Sequence, residues 1–143
     1  MHDADVIIVG AGPAGSACAW KLQKQGMRVL LLDKEPFPRL KSCAGWVTPG
    51  VLRDLQINPG DYPHGLTHFS RFLITIKKMR FRLRTNQYAI RRIEFDNWLL
   101  QRSEAEFAVH QVRQIEKNDD GFVIDGRFSA RYLVGAGGTN CPV

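Results

Sequence analysis

Asp5-Val-Ile-Ile-Val-Gly-Ala-Gly-Pro-Ala-Gly-Ser-Ala-Cys-Ala-Trp-Lys-Leu-Gln-Lys-Gln-Gly-Met-Arg-Val-Leu-Leu-Leu-Asp33 is the stretch on which the fold turns. Asp5 to Val9 is a short β-branched run, the signature of a buried strand. Ala14 to Gln25 reads as a helix, with Ala14, Cys18 and Leu22 recurring every four residues, and Met27 to Leu32 reads as a second buried strand. Strand, helix, strand in this order is a βαβ unit, which implies a parallel sheet.

The turn between the first strand and the helix is Gly10-Ala11-Gly12-Pro13-Ala14-Gly15, a G-x-G-x-x-G. Alone the pattern is weak. Here it follows a strand, opens a helix, and precedes by eighteen residues an acidic residue, Asp33, at the end of the second strand. Those are the conditions under which it marks a dinucleotide site. Gly10 permits the tight turn, Gly12 lets backbone approach a pyrophosphate, and Gly15 lets the helix lie close against the strand. The first helical amides then face the phosphates with the positive end of the helix dipole behind them. A carboxylate at Asp33 can accept both ribose hydroxyls and repels a 2′-phosphate, so the site suits the adenosine half of FAD or NAD and disfavours NADP.

Outward from this unit, Lys34 to Gly65 holds five prolines and reads as mostly loop, with a short helix near Val51 to Leu55. Phe69 to Thr85 looks extended, with Met79, Phe81 and Leu83 on one face and Arg80, Arg82 and Arg84 on the other. Glu94 to Glu106 is a second helix, apolar at Phe95, Trp98 and Leu99. Strand-like pieces follow around Phe107 to Ile115, Phe122 to Ile124 and Phe128 to Val134, with Asp120-Gly121 and Asp125-Gly126 as hairpin-turn signals.

Composition bounds the rest. The chain has 143 residues, 44% of them hydrophobic and 24% charged, which fits one ordinary globular domain and excludes a disordered tail or a disulfide mini-protein. No apolar run reaches the roughly 18 residues of a membrane span, and a strand beginning at Asp5 leaves no room for a signal peptide, so a cytoplasmic protein is the expectation. Cys18, Cys43 and Cys141 are widely spaced and offer neither a disulfide framework nor a metal site. Cys18 sits on an apolar helical stripe, where core packing accounts for it. The formal charge of +6 points to an anionic partner without choosing one. For the basic strand residues Lys77, Lys78, Arg80, Arg82 and Arg84, three readings stand. They are a solvated edge face, docking to a phosphorylated substrate or to anionic lipid as a peripheral membrane contact, and nucleic acid, which no accompanying motif supports.

Residues 5–49 resemble the opening of the FAD-dependent geranylgeranyl reductase family, within the flavoprotein group that includes p-hydroxybenzoate hydroxylase and the flavin-dependent halogenases. The resemblance rests on the glycine turn and on Pro38, Arg39, Lys41, Cys43 and Gly45, which match the family's P-R-x-K-x-C-x-G segment. It continues at Arg92, Phe95 and Asp96 with Leu99 or Leu100, similar to R-x-x-F-D-x-x-L. A third match is Tyr132-Leu133-Val134-Gly135-Ala136-Gly137-Gly138, similar to a strand ending in G-A-D-G. It implies FAD as cofactor, NAD(P)H as an electron donor, and Arg39, Cys43, Ala44 and Gly45 near the flavin. Arg92 would reach the FAD, with Arg91 next door on the opposite strand face as the competing choice. Cys43 also reads as an ordinary loop thiol. Gly137 stands where the family has aspartate, which puts the electron donor in question.

The candidate cofactor-binding residues are thus Gly10, Gly12, Pro13, Ala14, Gly15, Asp33, Lys34, Arg39, Cys43, Ala44, Gly45, Arg92, Gly135 and Gly138. No catalytic residue is assigned and no metal is expected. The resemblance implies an α/β, Rossmann-like FAD-binding βαβ sheet with an antiparallel β meander. It makes 1–143 the N-terminal part of an FAD/NAD(P)-binding domain, with 69–85 in a substrate-side sheet and the C-terminal half of the enzyme, including a second G-D segment, beyond the chain. The implied activity is hydride or electron transfer through FAD to an isoprenoid-like or other apolar small molecule. An NAD-binding Rossmann domain of a dehydrogenase and a catalytically inert truncated FAD-binding fragment are the alternatives.

Overall fold

The computed structural model describes residues 3–143, which divide into two compact units: the chain up to Arg39 with Asp96–Val143, and Leu40–Phe95. The first unit is built on a six-stranded sheet of order β6-β2-β1-β9-β8-β7. Its strands are β1 (Ala4–Val9), β2 (Val29–Asp33), β6 (Glu106–Val109), β7 (Ile115–Asn118), β8 (Gly121–Ile124) and β9 (Phe128–Gly135). β1 lies parallel to β2 and to β9, and β2 lies parallel to β6. β7, β8 and β9 form the antiparallel meander. The fold is therefore the mixed α/β, Rossmann-like class that the βαβ reading implies.

Both faces of the central strands are buried, which is why they read as unbroken apolar runs. Ile7, Val9, Leu30 and Leu32 join Ile124 and Ala130 on one side, while Val6, Ile8, Val29 and Leu31 pack with Ala19 and Leu100 on the other. Ala19 belongs to α1 (Pro13–Gln23) and Leu100 to α3 (Arg92–Ser103), so helices cover that second side.

The fully buried residues of α1 are Gly15, Ser16, Ala19 and Trp20; of the Ala14, Cys18, Leu22 stripe, Cys18 and Leu22 pack partly buried against the core and only Ala14 is exposed. Small residues at 15, 16 and 19 let the helix approach the sheet closely, and that approach rotates Ala14 to the outside. Cys18 still packs against the core, and burial pushes its thiol pKa up, which suits a packing residue rather than a nucleophile.

The second unit carries a three-stranded antiparallel sheet of order β3-β5-β4, formed by β3 (Trp46–Val47), β4 (Leu66–Ile76) and β5 (Met79–Ile90), together with α2 (Pro49–Asp54). The extended stretch read over Phe69 to Thr85 is two strands, not one. They are joined at Lys77-Lys78, with Lys77 in the left-handed region at φ 55°. Neither lysine is a usual turn former, so the reversal left no local mark in the sequence.

The piece read as strand over Phe107 to Ile115 is interrupted between Val109 and Ile115. There, Asp125 takes over from ladder hydrogen bonding: its carboxylate accepts from the amides of Arg113 and Gln114, at 3.1 and 2.7 Å for Oδ1. Asp125 Oδ2 also accepts from His110 Nε2 at 2.6 Å. The hydrogen bond from His110 is the main reason that the Asp125 carboxyl sits below the ordinary carboxylate range, against a smaller opposing effect of burial. A carboxylate whose pKa is lowered on folding stabilises fully above its unfolded value and loses that contribution as pH falls through the folded value. Asp125→Asn is accordingly expected to lower the urea midpoint at neutral pH, with the gap to the parent chain closing in acid below about pH 4. A gap that stays constant across an acid titration would exclude this role.

Candidate functional site

The carboxyl ends of β1, β2 and β9 converge on the glycine-rich turn. Gly10 has φ 108°, a conformation that side chains disfavour, and its amide donates to the Leu32 carbonyl at 2.7 Å. A Cβ there would lie 2.5 Å from the carbonyl group of Ala136, in the turn that follows β9. A Cβ on Gly15 would overlap the carbonyl oxygen of Gly10. Gly12 differs: a Cβ there would meet only Arg39 Nη2, at 3.7 Å, so its surroundings are open to an approaching ligand.

α1 begins at Pro13 with Gly12 as its N-cap, and no side chain caps it. The amides of Ala14 and Gly15 precede the first intrahelical bond, which runs from the Ser16 amide to the Gly12 carbonyl at 2.9 Å. Two uncapped amides at a positive helix end form an anion site. Ser16 contributes differently, since its hydroxyl donates to the Ala11 carbonyl at 2.9 Å and ties the turn to the helix.

Asp33 lies at the end of β2, buried, and its carboxylate holds the turn as well as facing the site. Oδ2 accepts from the Ala11 amide at 2.9 Å, and Oδ1 accepts from the Glu35 amide at 3.2 Å. Arg39 approaches the same Oδ2, with Nη2 at 3.6 Å, and lies over the Phe37 ring with its guanidinium carbon 4.9 Å from the centroid. The buried Arg39 Nε has no hydrogen-bond partner. A desolvated guanidinium with an unmet donor, beside an uncapped helix start, fits a diphosphate. The sequence marks Asp33 through its spacing. The Asp33–Arg39 pairing has no local signal, because proline-rich chain separates the two.

Gly135 is the last residue of β9, and Gly138 lies in the turn that follows it. The Ala136 amide donates to the Val9 carbonyl at 2.8 Å, which fixes this turn beside Gly10. Cys141 packs here. Its Sγ accepts from the Gly137 amide at 3.2 Å and would lie 3.1 Å from a Cβ on Gly137. Glycine at 137 and cysteine at 141 therefore fit closely, and a side chain at 137 would require Cys141 to give by a few tenths of an ångström.

The structure thus brings Gly10, Gly12, Pro13, Ala14, Gly15, Asp33, Arg39, Gly135 and Gly138 together within the first unit, with Lys34 exposed just after Asp33. Cys43, Ala44, Gly45 and Arg92 belong to the second unit. Cys43 is exposed and its Sγ accepts from the Gly45 amide at 3.4 Å. Gly45 is buried at φ 71°, where a Cβ would overlap the Ile90 carbonyl oxygen. Arg92 opens α3 rather than lying on a strand. Arg91, one residue earlier, pairs with Glu94 at 2.7 Å.

The profile of the FAD dependent oxidoreductase family matches residues 5–112. Digeranylgeranylglycerophospholipid reductase 1 of Methanopyrus kandleri is 31% identical over 127 residues, covering 84% of this chain and 33% of that protein. Geranylgeranyl diphosphate reductase of Rhodobacter capsulatus is 43% identical over 53 residues, which cover 37% of this chain and 13% of that protein. Among solved structures, a geranylgeranyl bacteriochlorophyll reductase-like protein of Thermoplasma acidophilum superposes with a TM-score of 0.75 over 91% of this chain and 38% of its own, at 20% identity, which shows a shared fold. The chain spans about a third of the length of the curated relatives that it matches along most of its own length.

Proposed function

Because the chain belongs to the FAD dependent oxidoreductase family, we propose that it supplies the nucleotide-binding part of a flavoenzyme that reduces an isoprenoid-like, apolar substrate. FAD is the cofactor, and it supplies hydride or electron transfer through its ring system. The observation that carries the reading is the uncapped start of α1, set between the buried Asp33 carboxylate and the unmet Arg39 donor. In this reading the amides of Ala14 and Gly15 hold the pyrophosphate, and Pro13 presets the helical turn from which they point. Asp33 accepts from the adenosine ribose with the lone pairs that Ala11 and Glu35 leave, and Arg39 moves its guanidinium toward phosphate oxygens. Gly135 and Gly138 offer backbone. Lys34, Cys43, Ala44, Gly45 and Arg92 keep the roles that the resemblance implies, as part of the same proposal.

The substrate class rests on the relatives, whose names specify geranylgeranyl groups. NAD(P)H is proposed as the electron donor, with no side chain yet assigned to its handling, since position 137 is glycine. The dehydrogenase alternative calls for a further βαβ half after β2. The antiparallel β3-β5-β4 sheet that stands there favours the flavoprotein reading.

Titration of the purified chain with FAD, NAD and NADP, followed by calorimetry, tests it. Saturable FAD binding tighter than that of either pyridine nucleotide is expected, and tighter binding of NAD would overturn the reading. Arg39→Ala is expected to weaken FAD binding by roughly 10- to 100-fold, the value of a charge-assisted hydrogen bond to phosphate. An affinity within twofold of the parent would remove Arg39 from the site.

A further inference from the structure

Between Asp61 and Glu94 the chain contains eight Lys or Arg residues and no Asp or Glu. Six of the eight lie on the β4–β5 hairpin. The register pairs Arg71 with Arg84, Leu73 with Arg82 and Thr75 with Arg80. Directly opposed residues of an antiparallel pair share a face, so Arg71, Arg80, Arg82 and Arg84 all project from one side of the hairpin. All four are exposed, as are Lys77 and Lys78 at its tip. Among the described residues no carboxylate lies within ion-pair distance of any of the six.

This arrangement costs stability, because like charges directly opposed across a ladder repel. Protecting a free sheet edge requires a charge along the strand, but not two arginines facing each other across it. Alternate residues on a strand are spaced about 7 Å apart, so the four arginines are spread along the hairpin rather than gathered at one point as around a small anion. The only other side chains sharing the arginine face along this stretch are Leu73 and Thr75. The aromatic residues Phe72 and Phe81 are on the opposite face with Ile74, Ile76, Met79 and Leu83. Single-stranded nucleic acid is gripped by aromatic platforms interleaved with cations, and none is present on this face.

We propose that the arginine face of the β4–β5 hairpin, with the Lys77-Lys78 tip, docks onto the surface of an anionic phospholipid bilayer. The inference is independent of the cofactor reading, since it uses only residues of the hairpin. Each basic side chain brought to an anionic surface strengthens partition roughly fivefold, and the effect is screened by salt.

Co-sedimentation of the whole chain with vesicles tests it. Binding to mixed phosphatidylglycerol–phosphatidylcholine vesicles is expected, with none to phosphatidylcholine alone. It should be released as salt rises from about 0.1 M to about 1 M and the screening length falls from about 10 Å to about 3 Å. The triple variant Arg80→Gln/Arg82→Gln/Arg84→Gln is expected to lose binding on the order of 100-fold, and Arg82→Gln alone about fivefold. Arg127→Gln, outside the hairpin, should bind like the parent. Should circular dichroism show the triple variant unfolded, Arg82→Gln and Lys77→Gln/Lys78→Gln decide by the same readout. Equal binding to neutral vesicles, or hairpin variants that bind like the parent, would overturn the proposal. So would displacement by inorganic diphosphate at matched ionic strength, which would mean a small-anion site. Retention of single-stranded RNA at salt that releases the vesicles would also overturn it, in favour of nucleic acid.

Discussion

Gly15→Ala is expected to destabilise the chain by about 3 kcal/mol, lower its melting temperature on the order of 10 °C, and remove FAD binding. The new methyl group would overlap the Gly10 carbonyl oxygen on one side and lie 3.4 Å from the Ala136 Cβ on the other. The first of these neighbours cannot give way easily. Gly10 is backbone held at φ 108°, its amide is bonded to Leu32, and it is itself packed against the Ala136 carbonyl group. Relief requires α1 to lift from the sheet, which displaces the amides proposed for the pyrophosphate and opens the core around Ala19. Gly12→Ala is the informative contrast. Its Cβ would make an ordinary contact with Arg39, so the parent melting temperature should survive while FAD affinity falls. Thermal melts and FAD titrations of both variants check this. A Gly15→Ala chain that melts like the parent would show that the turn is looser than its geometry requires.

Asp33→Ala is expected to cost about 2 to 3 kcal/mol in the absence of any nucleotide, in addition to lowering FAD affinity more than tenfold. Removing the carboxylate orphans the buried Ala11 amide and leaves the mostly desolvated Arg39 guanidinium without its anion. Arg39 retains some exposure, which keeps the cost at the lower end of that for breaking a buried pair. Asp33→Asn separates the two roles. An amide oxygen can still accept from Ala11, so most of the stability should return, while the negative charge facing Arg39 does not. Urea midpoints of the three chains, with and without FAD, distinguish a carboxylate that serves only the ligand from one that also builds the turn. A ligand-only carboxylate would leave the midpoints without FAD unchanged.

The glycine-rich turn and Asp33 were legible because their physics is local. A tight turn, a close helix–strand contact and an acidic strand end each demand particular residue types at fixed spacing, and Gly10, Gly12, Gly15 and Asp33 meet those demands within one βαβ unit. The second strand and the helix near Glu94 were likewise visible in apolar runs and periodicity, to within a few residues at their ends. The hairpin at Lys77-Lys78 was not, because two lysines carry no turn chemistry and the alternation of Arg80, Arg82 and Arg84 continues smoothly to the reversal. The stripe read on α1 was legible in part: Cys18 and Leu22 do pack against the core, but close packing at Gly15, Ser16 and Ala19 makes those residues the most deeply buried and leaves Ala14 exposed.

By itself, the sequence determined the α/β class, the parallel βαβ unit and the glycine-rich turn, since each follows from residues near one another along the chain. Tertiary structure alone decided that Asp33 is shared between Ala11 and Arg39, that Cys141 fills the space beside Gly137, that His110 and Asp125 brace the 110–114 segment, and that four arginines stand together on one face. Apart from Gly137 and Cys141, which a turn brings together, those pairings join residues distant in sequence or set by strand register. Their energies come from burial and distance, which exist only once the chain has closed on itself.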